Sequence, residues 1–458
     1  MEIVERPLTR NEDGDFDASF VQSILSTLDT DDREGVRELV KDLHAADLAD
    51  LIELLRPDQR AQLVTLLGRK FDPEVLTELD APVRDALFEL LTPRAVSVAL
   101  GRLDTDDAVY LLEDMDEEEQ EQFLRSVPRK ERAALKRALD YPEDSAGRLM
   151  QTAFVAAPGF WTVGQVIEYM RGDEDVPEQF YEVFVVDPLM HLIGTVDVSR
   201  ILRSGNEIPL EQIMATEQTT FTVTDEREDV AYKFERYNLV SAPVVDTDGR
   251  VVGMLTVDDI VDVIQEEAEE DILRLGGVGD EVITDPVWRT TRSRFTWLLI
   301  NLFTAILAST VIGAFDATIS EMVALAVLMP IVASMGGNAG TQTMTIAVRA
   351  LATRSLGKLN AVRVVGRECA VGLINGVLFA LILGAVVYAW FGSDSLGLVL
   401  GAAMVINMLA AALAGILIPL TLDYFDVDPA VSSTVFVTTV TDVVGFFAFL
   451  GLASLWLM

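Results

Sequence analysis

Cysteine and histidine are almost missing from this sequence. Cys369 is the single cysteine, and His44 and His191 are the two histidines. Disulfides need paired thiols, and zinc clusters, HExxH metalloproteases and Ser-His-Asp triads need Cys or His residues in groups. The inventory therefore excludes disulfides within this chain, Cys or His zinc sites and those hydrolases. We expect that the protein is not an enzyme.

Lysine is also scarce, and basic residues as a whole are outnumbered. The 458 residues include 35 Lys and Arg, of which six are Lys, against 73 Asp and Glu, for a net charge of −38. So acidic a surface repels nucleic acid phosphates and attracts divalent cations, and we expect no nucleic acid partner. Adaptation to concentrated salt is an alternative source of the bulk acidity, so each acidic site needs its own argument.

The acidic charge is confined to one part of the chain. Residues 286–458 contain eight basic and eight acidic residues, so residues 1–285 carry the entire net charge. The N-terminal stretch MEIVERPLTRNEDGDFDASF is acidic and has none of the apolar core of a signal peptide. We therefore expect residues 1–285 to be cytoplasmic.

Five long apolar stretches follow Pro286. At about 1.5 Å of rise per helical residue, such stretches can cross the roughly 30 Å hydrocarbon core of a bilayer. The eight basic residues lie before the first stretch or between the second and third, which places the N-terminus inside and the C-terminus outside. We expect a multi-pass protein of the cell membrane. The predicted spans are about 295–315, 322–348, 370–391, 395–422 and 430–458.

The last span carries a single charge, Asp442. It lies near the membrane midplane, where a carboxylate costs roughly 2.5–3.5 kcal/mol on insertion scales and must face protein or water. Thr434, Thr438 and Asp442 recur at steps of four, with Gly445 close by, and so form one polar stripe. The stripe indicates a cation path or a proton relay. A carboxylate buried in a hydrogen bond between helices is the alternative.

The second span contains the sequence MPIVASMGGNAGTQTMT. Pro330 frees a carbonyl group, and closely spaced glycines that include Gly337 let another backbone approach. Asn338, Thr341 and Gln342 add oxygen ligands. We favour a pore lining that completes the site of the last span. A glycine-rich packing face is the alternative.

The region from residue 17 to residue 140 repeats apolar residues at helical spacing between short breaks. This pattern predicts successive short helices in a small superhelix or solenoid of helix pairs. Asp104, Asp106 and Asp107 cluster at a predicted helix start. Capping of the helix N-terminus explains the cluster, and metal ligation is the alternative.

Two copies of another unit follow, offset by 59 residues. The stretch VVDPLMHLIGTVDVSRIL from Val185 aligns with VVDTDGRVVGMLTVDDIV from Val244. Each copy predicts the order β-α-β-β-α, with a hairpin turn at residues 246–249 of the second copy. The pair resembles a tandem CBS pair, a regulatory module that often senses adenine nucleotides.

The resemblance to CBS modules implies a nucleotide site in one half of the pair. Positions such as Thr256 and Asp259 commonly hold ribose or phosphate groups of ATP or another adenine nucleotide. The first copy has Asp197 and Arg200 at the corresponding places and departs from that pattern. A nucleotide is therefore expected only at Thr256 and Asp259.

An acidic connector joins the second copy to the membrane part. In VDVIQEEAEEDILRLGG, Glu267, Glu270 and Asp271 lie together on one face of a predicted helix, and an apolar stripe occupies another face. Like charges at these spacings repel unless a cation neutralises them. A cation site is one interpretation, and a plain solvated surface is the other.

The whole chain closely resembles the MgtE family of magnesium channels and transporters. The resemblance rests on the order of domains, on Gly336-Gly337-Asn338-x-Gly340-x-Gln342 in the second span, and on Thr441-Asp442-Val443-x-Gly445 in the last. It implies a multidomain membrane protein with an N-terminal all-α superhelical domain, tandem α/β CBS domains, a connector (plug) helix and an all-α five-helix transmembrane domain. The expected boundaries are 1–142, 143–205, 206–263, 264–285 and 286–458.

The resemblance also implies how the protein works. The family is a homodimer whose pore lies at the subunit interface, where Asp442 of both subunits binds hydrated Mg²⁺. Cytoplasmic Mg²⁺ closes the pore by filling acidic sites. The site residues carried over are Asp442, Asn338, Gly337 and Thr438 for the pore, and Asp259, Asp262, Glu267, Glu270, Asp271 and Asp106 for the sensor. This chain departs from the family at Tyr110 and Asn238, where acids are common.

The chemistry of the residues agrees with Mg²⁺ as the transported ion. Mg²⁺ keeps several waters and is held through one or two carboxylates, whereas Ca²⁺ needs six to eight oxygen ligands. Soft metals would need Cys, His or Met clusters near Asp442, and none occur in the sequence around it. The alternative function is a coupled carrier or exporter of divalent cations with CBS-type nucleotide regulation.

Overall fold

The computed structural model describes residues 9–457 except for 12–13, 92, 114, 126, 173–175, 178, 280, 282–284, 358–359, 426 and 432. Residues 1–8, Lys358 and Asp426, which the charge analysis used, lie outside the described residues. The chain divides into two compact units, residues 1–265 and residues 266–458.

The first unit begins with short amphipathic helices, as the sequence predicts. Aspartates cap several of them: Asp17 accepts a hydrogen bond from the Ser19 amide, and Asp32 accepts one from the Gly35 amide. Their apolar faces share one core that extends from Phe20 to Ala138. The helices are α1 (Ala18–Asp29), α2 (Arg33–Val40), α3 (Ala45–Leu54), α4 (Pro57–Leu67), α5 (Ala81–Leu90), α6 (Pro93–Leu100), α7 (Thr105–Glu113), α8 (Glu117–Leu124) and α9 (Arg129–Leu139).

The two repeated units fold in the same way. The elements are α10 (Ala146–Leu149), β1 (Ala156–Pro158), α11 (Val163–Gly172), β2 (Glu182–Val186), β3 (Leu192–Asp197) and α12 (Val198–Leu202), then β4 (Phe221–Thr222), α13 (Arg227–Tyr237), β5 (Ser241–Val245) and β6 (Val251–Thr256). Each copy has a three-stranded sheet with one parallel and one antiparallel pair, in the orders β1-β2-β3 and β4-β5-β6. The bounds of β2 and β3 recur in β5 and β6 with the predicted offset of 59 residues, whereas β1 and β4 do not share that offset.

Glycine is required at the same place in both sheets. A Cβ at Gly194 would lie 2.8 Å from the Sδ atom of Met214, and a Cβ at Gly253 would lie 2.7 Å from that of Met150. Each methionine lies just before a segment that pairs with the strand, so a side chain at either glycine would push that segment away. The two repeats therefore share this contact between a glycine and a methionine as well as their strand order.

Helix α14 (Val257–Leu275) begins directly after β6 and is continuous through the acidic connector. The sequence predicts a connector from residue 264, but no helix end separates that connector from the last helix of the second repeat. The predicted apolar stripe is also only partly buried, since Ile264 and Ile272 are exposed. Leu275 packs against apolar residues of the second unit.

The second unit contains five helices that are long and apolar enough to cross a membrane, which confirms the predicted number of spans. They are α15 (Val287–Gly313), α17 (Ala324–Ala352), α18 (Ala361–Phe391), α19 (Asp394–Tyr424) and α20 (Ser433–Trp456), with the short α16 (Asp316–Glu321) after the first. Helices α15 and α18 begin before the predicted span starts at 295 and 370. Hydrophobicity marks the lipid core, whereas the helices continue past Arg289 and Arg363 into water.

The membrane helices pack around α19. Helices α17, α18 and α20 each contact it along much of their length, α17 also contacts α20, and α15 packs on α20. Small residues allow this close approach: a Cβ at Gly372 would lie 2.8 Å from Ala412 Cβ, and a Cβ at Gly397 would lie 3.2 Å from the Gly384 carbonyl oxygen.

Candidate functional site

The polar stripe of α20 forms as predicted. Thr434, Thr438 and Asp442 lie four residues apart on one helix, and all three side chains are half-buried. The Thr438 hydroxyl donates to the carbonyl oxygen of Thr434 at 2.9 Å, so its oxygen lone pairs stay directed away from the helix backbone. Among the described residues, no group makes a hydrogen bond to the Asp442 carboxylate. This observation favours the ion-path interpretation over a hydrogen bond between helices.

The glycines of α17 let that helix approach the stripe. A Cβ at Gly337 would lie 4.0 Å from Thr438 Cγ2, and a Cβ at Gly340 would lie 2.5 Å from Val437 Cγ1. The structure therefore brings Gly337 and Thr438 together, as the predicted pore requires. Asn338, the fourth predicted pore residue, is exposed.

A second polar residue in the membrane was missed by the sequence analysis. Asn407 of α19 is fully buried, at 0% exposure, between α17 and α20. Its Nδ2 donates to the carbonyl oxygen of Val332 at 2.8 Å. The available signal in the sequence was a lone Asn in the middle of a long uncharged span.

Acidic residues of α7 and α14 form a cluster in the first unit, the acidic cluster, made up of Asp104, Asp106, Asp107 and Asp259. Asp106 is 8% exposed, and both of its carboxylate oxygens are buried without a hydrogen-bond partner among the described residues. Burial and the nearby Asp259 raise the pKa of Asp106 well above its ordinary value. An unpaired buried carboxylate beside another carboxylate is unfavourable without a proton or a cation.

The other members of the acidic cluster show the same effect. Burial, followed by the charge of Asp259, raises the pKa of Asp107 to about 7. Burial raises the pKa of Asp259 to about 6, although the Thr256 hydroxyl donates to its carboxylate. Among the predicted sensor residues, the structure thus brings Asp106 and Asp259 together. It adds Asp107, which the sequence analysis assigned to a helix cap.

Asp262 lies one turn along α14 from the acidic cluster and is exposed. Burial of its inner atoms and the neighbouring Asp258 raise the pKa of Asp262. Glu78 is a further acid in this part of the unit, since burial and the charge of Asp262 raise its pKa too. Glu78 was missed because it lies in the connection before α5, and sequence spacing gives no information about contacts between distant segments.

The connector acids Glu267, Glu270 and Asp271 are half-buried at the C-terminal part of α14. Arg274 makes ion pairs with Glu270, one turn earlier, and with Asp428 in the loop before α20. We call this group the connector clamp. The ion pair with Arg274 neutralises Glu270 and makes Glu270 less available as a metal ligand.

The connector clamp lies at the start of the polar stripe. The Thr434 hydroxyl donates to the carbonyl oxygen of Leu275 at 3.1 Å, and Leu275 packs with Met344, Ala430 and Val437. The end of α14 is therefore held by an ion pair to the loop before α20, a hydrogen bond from α20 and an apolar contact with α17 and α20.

No group of three or more His, Cys, Asp or Glu side chains is arranged to hold a metal ion within the described residues. Mg²⁺ is commonly held through one or two carboxylates and retains several waters. Asp106 and Asp259 are a pair of neighbouring carboxylates that could hold such an ion.

The predicted nucleotide residues hydrogen-bond to each other. The Thr256 hydroxyl donates to Asp259, and Gln151 Nε2 lies 3.3 Å from Asp259 Oδ2. A cavity of about 350 Å³ lies instead between the two repeats, against the end of β3 and the start of β5, and neither Thr256 nor Asp259 is among its lining residues. Its lining includes Tyr181, Glu182, Asp197, Glu217, Asn238 and Ser241.

Comparison with known proteins agrees with this architecture. The family description "Divalent cation transporter" (MgtE) matches residues 329–452, the MgtE intracellular N domain matches 43–144, and the CBS domain matches 210–266. The magnesium transporter MgtE of Thermus thermophilus is 32% identical over 95% of this chain and 98% of its own. The chain belongs to the MgtE family. The MgtE of Bacillus subtilis is 27% identical over 91% of this chain and 93% of its own.

The fold of the first unit is also that of MgtE. A crystal structure of the cytosolic domain of the Mg²⁺ channel MgtE in complex with ATP matches 53% of this chain and 99% of that chain, with a TM-score of 0.50 and 28% identity. The MgtE description covers both Gly337 and Asp442. The CBS description covers only the second repeat, but the first repeat has the same strand order and offset.

Proposed function

We propose that this MgtE family member is a channel for Mg²⁺ uptake whose ion path runs along the polar stripe of α20. The observation that carries the proposal is Asp442, a half-buried carboxylate in a membrane helix with no hydrogen-bond partner among the described residues. Gly337 of α17 lies beside Thr438 one turn away, and this packing leaves backbone and hydroxyl oxygens next to the path. A carboxylate so placed needs a cation or water.

Mg²⁺ fits this site better than Ca²⁺, which needs six to eight oxygen ligands. One Asp442 in each subunit of a homodimer supplies two carboxylates across a two-fold axis, and the remaining ligands are waters. The relatives matched over most of the chain are named magnesium transporters, which supports the same ion. Asn338, exposed on a single chain, is placed to face the second subunit in such a dimer.

Cytoplasmic Mg²⁺ closes the proposed channel by binding the acidic cluster. Burial first, and neighbouring carboxylates second, raise the pKa values of Asp106, Asp107 and Asp259, so the ionised cluster is unfavourable without a cation. Bridging by Mg²⁺ removes the repulsion and stabilises the compact form. The acidic surface continues along α14 through Asp262, Glu267 and Asp271. In our proposal, Mg²⁺ bound to these carboxylates couples the sensor to the pore.

Replacement of Asp442 tests the ion path. Asp442→Asn and Asp442→Ala should abolish Mg²⁺ flux into proteoliposomes, a reduction of at least about a hundredfold for the loss of roughly 3 kcal/mol of ion stabilisation. The matched control is Asp394→Asn, which removes a carboxylate from the start of α19. Flux should stay near the wild-type value in the control. Near-normal flux in Asp442→Asn would refute the assignment.

The same proteoliposomes separate a channel from a coupled carrier. A channel should give Mg²⁺ flux that depends on the Mg²⁺ gradient and the membrane potential and does not require a proton gradient. A flux that requires an imposed proton gradient would favour the carrier.

We propose that an adenine nucleotide occupies the cavity between the two repeats, beside β3 and β5, and not the position of Thr256 and Asp259. The Tyr181 ring offers a stacking surface, and Asn238 and Ser241 offer polar groups for a sugar. The acidic lining favours a nucleotide that carries Mg²⁺. A related cytosolic domain was solved with ATP, which supports the ligand class.

Two single substitutions locate the nucleotide. Tyr181→Ala should weaken ATP binding to the full-length protein by about tenfold, consistent with the roughly 1–3 kcal/mol of a lost stacking contact. Thr256→Ala should leave the affinity unchanged. The reverse result, measured by titration calorimetry with MgATP, would place the nucleotide at Thr256 and Asp259.

A further inference from the structure

Asn407 lies where three membrane helices meet. A Cβ added to Gly336 of α17 would be 2.2 Å from Asn407 Nδ2, and a Cβ added to Gly445 of α20 would be 2.7 Å from the same atom. Both distances are far below van der Waals contact. The carboxamide of one α19 residue thus fills the space left by the missing side chains of two glycines on different helices.

The carboxamide also binds the backbone of α17. Its Nδ2 donates to the carbonyl oxygen of Val332 at 2.8 Å. Val332 lies between Pro330, which interrupts the hydrogen bonding of α17, and the glycines at 336 and 337. This stretch contains a proline that interrupts the helical hydrogen bonds and ends in two adjacent glycines, so a hydrogen bond from a neighbouring helix fixes a segment whose own backbone is weakly constrained.

General stability does not explain an asparagine at this place. The Oδ1 atom of Asn407 is buried with no hydrogen-bond partner among the described residues. A buried acceptor without a donor is unfavourable, and an apolar side chain of the same size would avoid that cost. The geometry therefore points to a role that needs the donor in this orientation.

The two glycines lie next to the proposed ion path. Gly445 is one turn after Asp442, and Gly336 precedes Gly337. We propose that Asn407 is a positioning residue that sets the spacing between the glycine segment of α17 and the Asp442 turn of α20. The proposal rests on the proposed function, because it takes Asp442 as the ion site. Asn407 itself touches no ion.

Substitution of Asn407 tests the role in full-length protein in proteoliposomes. Asn407→Leu keeps the size but removes the donor, and Asn407→Ala leaves the space empty. Per folded protein, both should lower the maximal Mg²⁺ flux by about tenfold and raise the half-saturating Mg²⁺ concentration severalfold. Asn375→Leu, at an exposed position of α18, is the matched control and should behave as wild type.

A double substitution tests the contact itself. Gly445→Ala should abolish flux, because its methyl group collides with the carboxamide. Adding Asn407→Ala removes the collision, so the double variant should conduct better than Gly445→Ala alone and about as well as Asn407→Ala alone. If the relative flux of the double variant equals the product of the relative fluxes of the two single variants, the proposal is overturned.

A purely structural role has a different signature. It would reduce the amount of folded protein, measured by gel filtration and thermal unfolding, and leave the half-saturating Mg²⁺ concentration of the folded fraction unchanged. That outcome would also overturn the proposal. Wild-type flux in Asn407→Leu together with an inactive Asp442→Asn would overturn only the positioning role. Flux retained in Asp442→Asn would instead remove the proposed ion path.

Discussion

Asp107 and Asp259 keep their protons at pH values where aspartates in water have lost them. Because their pKa values in the folded chain are about 7 and about 6, above the ordinary 3.8, the folded form binds more protons than the unfolded form between about pH 4 and pH 7. Without Mg²⁺, the stability that these groups contribute is therefore present below about pH 4 and is lost as the pH rises through 6 and 7.

Mg²⁺ and protons should compete at the acidic cluster. Mg²⁺ binds deprotonated carboxylates, so binding releases protons and the apparent Kd should fall by up to about tenfold for each pH unit between pH 5 and pH 7. We expect Mg²⁺ to protect full-length protein from protease strongly at pH 8 and weakly at pH 5.5. Asp107→Asn and Asp259→Asn should each flatten this dependence.

Protease protection that is equal at both pH values would show that Mg²⁺ closes the protein elsewhere. Asp187→Asn serves as the control, since that carboxylate lies in an exposed turn with His191 and its pKa is lowered. Its replacement should leave the Mg²⁺ response unchanged.

At the scale of a single element, α14 carries two different kinds of acid. Its first turns contribute Asp259 to the acidic cluster, whereas Glu270 near its end is paired with Arg274. The sequence predicted one uniform sensor surface because spacing shows which side chains share a helix face but not which partners face them. The assignment of Glu270 as a Mg²⁺ ligand stays a prediction, and its ion pair makes it the weakest of the set.

The connector clamp should help to keep the pore closed. Arg274→Ala removes both ion pairs, and a half-buried pair is worth about 1 kcal/mol, so the Mg²⁺ concentration that half-closes the channel should rise about fivefold. Patch-clamp recording with defined Mg²⁺ on the cytoplasmic side measures this shift. The double variant Arg274→Asp with Asp428→Arg exchanges the two charges, and it should bring the half-closing Mg²⁺ concentration most of the way back to the wild-type value.

The control for the connector clamp is Arg250→Ala, which removes an exposed ion pair with Asp248 in the hairpin turn. Closure of Arg274→Ala over the wild-type Mg²⁺ range would show that the clamp is a packing contact with no part in closing the pore.

At the scale of the whole molecule, the positive residues predict the topology. In a background in which the sole cysteine is removed by Cys369→Ser, Ser320→Cys and Met458→Cys should react with a membrane-impermeant maleimide added to intact cells. Ser355→Cys and Thr247→Cys should react only after the membrane is opened. The reason is that all basic residues of the membrane part lie before the first span or between the second and third spans, where basic residues mark the cytoplasmic side.

The opposite labelling pattern at Met458→Cys would require an even number of crossings. That result would point to the loop before α20, which has acids and no Lys or Arg, as the place where the assignment fails.

Most of the architecture follows from patterns that are local in the sequence. Helical periodicity, the repeat of 59 residues and five apolar stretches each describe neighbours along the chain, and the structure confirms the helices, the paired sheets and the five long helices. Asp442 was visible because a lone charge in a membrane span stands out. The sites that depend on distant contacts were not visible: Asp107 beside Asp259, Arg274 beside Asp428, and Asn407 between two glycines.

The unequal burial of the membrane helices has an evolutionary consequence. Only one of the 27 residues of α15, Ala308, is buried within the chain, whereas fifteen residues of α19 are. Contacts within the chain constrain the side-chain volumes of α15 little, so one large apolar residue can replace another wherever α15 faces lipid. Selection on α19 acts on the volume of each side chain. Among relatives of this protein, α15 should accumulate substitutions quickly, mostly of one apolar residue for another. Substitutions in α19 should be slower and should covary with those in α17 and α20.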